Sequence, residues 1–203
     1  MRKCLVFLFI CLPFICSAQR FKGGLVLGLN ASQIDGDNMK GYDKAGLVAG
    51  TYVYTRLAKH WNIQMELRYS GKGSSSPKNA TTFERNRLNY IELPLLVQYE
   101  LIKNIDLQCG LSAGYLFHAT HNIDDGSGYN DFKESFNKIE LAGFGGVNLT
   151  SLDPILFNIR FSYSIFPVFM PPDASYATLG AHPWYNNIIT LAVYYRIGAK
   201  KDL

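Results

Sequence analysis

The chain has 203 residues, of which 48% are hydrophobic, with 20 Lys+Arg against 16 Asp+Glu. A length near 200 suits one domain, and a near-balanced charge with no basic stripe gives no electrostatic case for nucleic acid. Of the four cysteines, three fall in the first 16 residues and only Cys109 lies beyond them, so a mature chain that has lost this opening stretch is expected to hold no internal disulfide and no cysteine-held zinc site.

Arg2 and Lys3 open the chain, an apolar run follows from Cys4 to Ile15, and small Ser17 and Ala18 close it. That order predicts a secretory signal peptide over 1–18, with the mature domain over 19–203. The run is shorter than the ~20 residues a helical membrane span needs. Removing it takes away two of the twenty basic residues and no acid, leaving 18 bases against 16 acids.

Eight segments with alternating polarity follow, the signature of strands with one apolar and one polar face. The first, near 21–32, sets Leu25, Leu27 and Leu29 against Gly24, Val26, Gly28 and Asn30. The second, near 45–57, is less regular, with Gly46, Val48, Gly50, Tyr52 and Tyr54 sharing a face. The third sets Trp61, Ile63, Met65, Leu67 and Tyr69 against Gln64, Glu66, Arg68 and Lys72. The fourth sets Ile91, Leu93, Leu95, Val97 and Tyr99 against Glu92, Pro94, Gln98 and Glu100. The fifth sets Ile105, Leu107, Leu111, Tyr115 and Phe117 against Asp106, Gln108, Ser112 and Gly114. The sixth sets Ile139, Leu141, Val147 and Leu149 against Glu140, Ala142, Phe144 and Asn148. The seventh sets Ile155, Phe157, Ile159, Phe161 and Tyr163 against Asn158, Arg160, Ser162 and Ser164. The eighth sets Ile189, Leu191, Val193, Tyr195 and Ile197 against Thr190, Ala192, Tyr194 and Arg196.

Alternation by itself does not say which face is inside. The connections do. They are long at 33–43, 74–87, 118–135 and 167–184, and short around 58–60, 102–104 and 150–154. Long outer loops and tight periplasmic turns are the pattern of a membrane barrel. The apolar-face aromatics also fall in two bands. Trp61, Tyr99 and Tyr195 lie near the short turns, and Tyr69, Tyr115, Phe117, Tyr163 and Tyr185 near the long loops. Rings with a polar edge favour the two water–lipid boundaries. The expectation is an all-β, eight-stranded antiparallel up-and-down transmembrane β-barrel in the outer membrane, with lipid as its surroundings. The competing reading, a soluble lipocalin-like barrel, turns Ile63, Leu67, Leu93 and Leu95 inward around an apolar ligand.

"ELRYSGKG" (66–73) followed by "LNYIELPLLVQYEL" (88–101) resembles the PorT-like outer-membrane β-barrel proteins common in Bacteroidetes. Leu93 stands where that family usually has Ile. The glycine-spaced second segment and "YYRIG" (194–198) are similar too. The resemblance implies an outer-membrane barrel, and through the family's namesake a link to protein secretion and envelope partners. It implies no single biochemical activity.

Candidate chemistry is sparse. On this register Glu66, Arg68, Glu92, Arg160 and Arg196 project inward, with Lys72, Glu100, Asp106 and Glu140. Eight strands enclose little more than side chains, so these charges are expected to pair as a structural lumen network rather than line a pore. An inward Gln64→Arg is therefore expected to be tolerated better than an outward Leu67→Arg. Pro94 is expected to sit at a bulge. "HATH" (118–121) with Asp124 and Asp125 has metal-ligand residue types, and with Ser127 the parts of a hydrolase trio; a solvated loop is the simpler reading. No cofactor is expected. Phe169, Met170 and Trp184, in the proline-rich loop 167–185, are the candidate partner-binding residues, with a lid over the barrel mouth as the alternative.

Overall fold

The computed structural model describes residues 21–37, 39, 41–77, 83–123, 129–131, 136–170 and 182–197. The expected leader at 1–18 lies outside them. The strands are β1 (Lys22–Asp35), β2 (Lys44–Ala58), β3 (Trp61–Ser75), β4 (Glu84–Ile102), β5 (Ile105–Ile123), β6 (Tyr129–Asp131), β7 (Ile139–Leu152), β8 (Ile155–Ser164) and β9 (Tyr185–Ile197). Eight of them pair antiparallel with their chain neighbours, and β1 closes on β9 from Gly23↔Ile197 to Asp35↔Tyr185. The three-residue β6 only lengthens the sheet beside the outer end of β5.

Closure settles the orientation. The odd-numbered apolar residues look out: Leu27, Leu67, Leu95, Leu111, Ile159 and Leu191 are 53–61% exposed. The polar residues look in: Glu66, Arg68, Glu92 and Arg160 are at most 4% exposed. A water-soluble sheet buries its apolar face, so the lipocalin-like reading fails on this point. The aromatic bands are in place. Trp61 packs on Tyr99 at one rim (ring centroids 4.8 Å), and Tyr69 on Phe117 and Tyr163 on Tyr185 at the other (6.1 and 5.9 Å). Cys109 stands on the outward face.

The tight turns are Lys59–His60, Lys103–Asn104 and Asp153–Pro154. Asn104 takes a φ of 70° there, a conformation its short polar side chain tolerates. Inside the barrel Gly24 has no room for a Cβ, which would meet a Tyr52 ring carbon at 2.7 Å.

Two expectations need correction. The outer loops are shorter than the sequence suggests, because β4 and β5 each run 19 residues, roughly twice the 9–11 that cross a bilayer. Ser74, Asn86 and Thr120, typical of loops, are held in register by the neighbouring strands, with Ser74 and Asn86 buried on the inner face. Pro94 makes no bulge. The β3–β4 ladder lapses opposite it and resumes in the same register, Met65↔Leu95 on one side and Arg68↔Glu92 on the other. The two β4–β5 irregularities lie elsewhere, one between Glu100 and Ile102 beside the turn and one at Phe117, which pushes both Phe117 and His118 outward.

Candidate functional site

The lumen is closed in three layers. Towards the periplasmic turns, Val26, Tyr52, Leu156, Ala192 and Tyr194 form an apolar cluster. A cavity of about 10 Å³ beside it, against Gln64, Gln98 and Arg196, has the volume of about one water.

The middle layer is ionic. Arg160 on β8 reaches across the lumen to Glu66 on β3, with Nη2–Oε1 at 2.8 Å and Nη1–Oε2 at 3.2 Å. Glu66 also meets Arg68 Nη1 at 3.4 Å, and Arg68 Nε donates to Glu92 at 2.8 Å. Lys72 then bridges Glu92 at 2.5 Å and Glu140 of β7 at 2.7 Å. The sequence of charges is Arg160, Glu66, Arg68, Glu92, Lys72, Glu140. Cations and anions alternate and balance. A buried ion costs several kcal/mol unless its pairs and hydrogen bonds are complete. Here neutral groups add to the pairs on the anions: Gln64 (2.8 Å) and the Tyr194 hydroxyl (2.9 Å) donate to Glu66, and Ser164 (2.6 Å) and Asn186 (3.0 Å) to Glu140, while the Arg160 Nε–H is left without a hydrogen-bond partner. Arg160 lies 4.3 Å above the Phe144 ring and Lys72 4.8 Å above Tyr90.

The structure thus brings Glu66, Arg68, Glu92 and Arg160 together and joins Lys72 and Glu140 to them. Arg196 stands apart. It pairs with Asp153 at 3.1 Å beside the β7–β8 turn, 27% exposed. Its position as the last inward residue of β9 puts it at the rim, where the lumen opens to water. Glu100 is likewise at that rim, 3.3 Å from His60.

The outer layer is an apolar lid. Ile34, Leu88, Tyr90, Leu116, Ala119 and Phe136 form a buried cluster, and Phe169 and Trp184 pack on it. Phe169 lies 5.3 Å from Phe136 and 4.5 Å from Trp184, and Val168 is fully buried. Backbone bonds from Asn137 N to Val168 O and from Val168 N to Trp184 O tie the lid down. Of the three candidate partner-binding residues, only Met170 is free on the surface, 54% exposed. Residues 171–181 lie outside those described.

Beside the lid sits a cluster that pattern reading missed, because its members fall in the stretches assigned to loops. Asp37 accepts hydrogen bonds from Ser74 Oγ, from Asn86 at 3.5 Å and from Met39 N at 2.9 Å. Burial pushes its carboxyl above the usual range, and the three hydrogen bonds draw it part of the way back. Gly73 reaches over this cluster with a φ of 133°, a conformation open to glycine and strained for other residues.

The "HATH" histidines do not converge. His118 faces outward after the Phe117 irregularity, whereas His121 faces the barrel and bonds Asn86 at 2.6 Å. Among the described residues no group of three His, Cys, Asp or Glu could hold a metal. Asp124, Asp125 and Ser127 lie outside the described residues.

Comparison with known proteins gives the frame. The family model described as outer membrane protein beta-barrel domain matches residues 17–170. Among solved structures the chain resembles Ail, the attachment invasion locus protein of Yersinia pestis, with a TM-score of 0.54, 13% identity, and 87% of this chain and 98% of that one covered. It also resembles Neisserial surface protein A, with a TM-score of 0.50, 11% identity, and 87% and 96% covered. At such identity the likeness is one of fold. No curated protein matches the sequence.

Proposed function

We propose, for a chain that belongs to the outer membrane protein β-barrel domain family and resides in the outer membrane, a non-enzymatic role as a scaffold or partner-binding component of the envelope, acting through its outer surface. The observation that carries this reading is the layered closure of the lumen, ion-pair network below and apolar lid above. A solute entering from outside must displace the Phe136–Phe169–Trp184 packing and then separate six mutually paired charges.

The finer assignment is a PorT-like protein of Bacteroidetes, exported by the 1–18 leader, with secretion or other envelope proteins as partners. The 66–97 block supports it. Glu66, Arg68, Glu92 and Arg160 have a structural role in this proposal, and Arg196 holds the periplasmic rim. Partner contact falls on Met170 together with Ile165 and Phe166, which are 46% and 62% exposed beside it.

The test is isolation of the tagged protein from native outer membranes in mild detergent, with bilayer conductance measured on the same material. A stoichiometric protein partner, depleted by Met170→Glu, and a silent bilayer are expected. A barrel that emerges alone, or discrete single-channel steps, overturns the proposal.

A further inference from the structure

A second surface lies outside the barrel wall at the outer rim. The outward alternation of β4 continues above the membrane as Ile91, Asn89, Arg87, Arg85. The β3 residue paired with Asn89 is Gly71, which presents no side chain. A groove of about 560 Å³ opens there, with Lys44, Arg85 and Arg87 on its walls and Gly71 on its floor. Asp43 is the one acid that lines it.

These cations are not used by the fold. Among the described residues none of the three forms an ion pair. Arg85 stacks on Phe83 at 4.9 Å, yet its Nε–H is buried without a hydrogen-bond partner. Lys44 reaches only the carbonyl of Ala45. A buried donor left unpaired costs free energy, and an anionic oxygen seated in the groove beside these cations would satisfy it.

Height identifies the occupant. Tyr69 lines the same groove and belongs to the outer aromatic band, with its hydroxyl bonded to Asn89 at 2.7 Å. Leu47 lines the groove itself and is 50% exposed, and Ile91, the β4 partner of Tyr69, is 43% exposed on the lipid face at the groove's lower edge. The cations therefore sit one step above the acyl chains, at headgroup level. We infer that this groove binds the phosphate groups of a phosphorylated lipid in the outer leaflet, its acyl chains lying along the wall below Tyr69.

The experiment places the full barrel in phosphatidylcholine nanodiscs with either diphosphoryl lipid A or the same lipid dephosphorylated, and counts retained lipid by native mass spectrometry. Retention of the phosphorylated lipid alone is expected. Arg85→Gln/Arg87→Gln should lower it roughly 30-fold, at about 1 kcal/mol per basic residue near a membrane surface. Lys103→Gln, on the periplasmic β4–β5 turn, should leave it unchanged. Folding of each variant is checked by its heat-modifiable gel mobility. If the double variant does not fold, the exposed Arg87→Gln is read alone, with a salt titration of the wild type that should release the lipid. Equal retention of the dephosphorylated lipid, no loss in either arginine variant, or displacement by millimolar inorganic phosphate, which marks a free-anion site, overturns the inference.

Discussion

Arg160→Met is the sharpest probe of the closed lumen. Arg160 has no solvent exposure. Its guanidinium makes two bonds to Glu66, one to Tyr194 at 3.2 Å and one to Gln108 at 3.4 Å. Methionine fills much of the volume but leaves Glu66 short of its main cation. Removing one partner of a buried pair costs about 3–5 kcal/mol, because the other charge stays buried and unpaired. Here Arg68 remains 3.4 Å from Glu66 and takes part of the load, which puts the expected loss near 3 kcal/mol. Glu66→Gln should cost a similar amount by orphaning Arg160. In the double variant neither orphan exists, and Arg68 still has Glu92. Its loss should fall at least 2 kcal/mol short of the summed singles, within the range of measured coupling between contacting residues of about 0.5–3 kcal/mol. The assay is urea unfolding of the barrel in lipid vesicles, followed by the fluorescence of the two tryptophans, with the m-value as a check that the unfolded state is unchanged. Additive singles, or singles below about 1 kcal/mol, would refute the claim that the six charges act as one buried unit.

Leu67→Arg places a cation at mid-height on the lipid face, where Leu67 is 55% exposed, and should cost about 2–4 kcal/mol in the same assay. Leu57→Arg, near the periplasmic rim, should cost about 0–1 kcal/mol; equal losses would mean the wall does not face lipid. Gln64→Arg is not the mild control the alternation suggests, since Gln64 is 4% exposed and bridges Glu66 and Gln98. Asp37→Asn tests the outer-rim cluster by pH. Because burial raises the Asp37 carboxyl above its ordinary value of 3.8, the folded state keeps a proton that the unfolded state releases. The stability this group contributes is present below the ordinary value and is lost as pH rises through the raised one. Wild-type stability should therefore fall relative to Asp37→Asn as pH climbs from about 4, and parallel pH profiles would contradict the assignment.

The sequence by itself determined the faces, the orientation and the membrane. Side chains on a strand repeat every two residues, so Glu66 and Arg68 must share a face and Leu67 the other. The aromatic bands and the rhythm of connection lengths then say that the polar face is inside. The same local rule misled at the strand ends. Ser74, Arg85, Arg87 and Thr120 have the composition of loops, yet pairing with a neighbouring strand holds them extended. What only the tertiary structure decided are the contacts across the lumen. Arg160 and Glu66 are 94 residues apart, and Lys72 and Glu140 are 68 apart. Nothing periodic links such positions. They meet because closing β1 on β9 fixes the stagger of every strand at once, and that stagger sets which inward residues share a level. It left Arg196 at the rim with Asp153, turned His118 and His121 to opposite faces, and folded Phe169 and Trp184 onto Phe136. Period and composition are local properties of the chain, whereas height inside a closed barrel belongs to all its strands together.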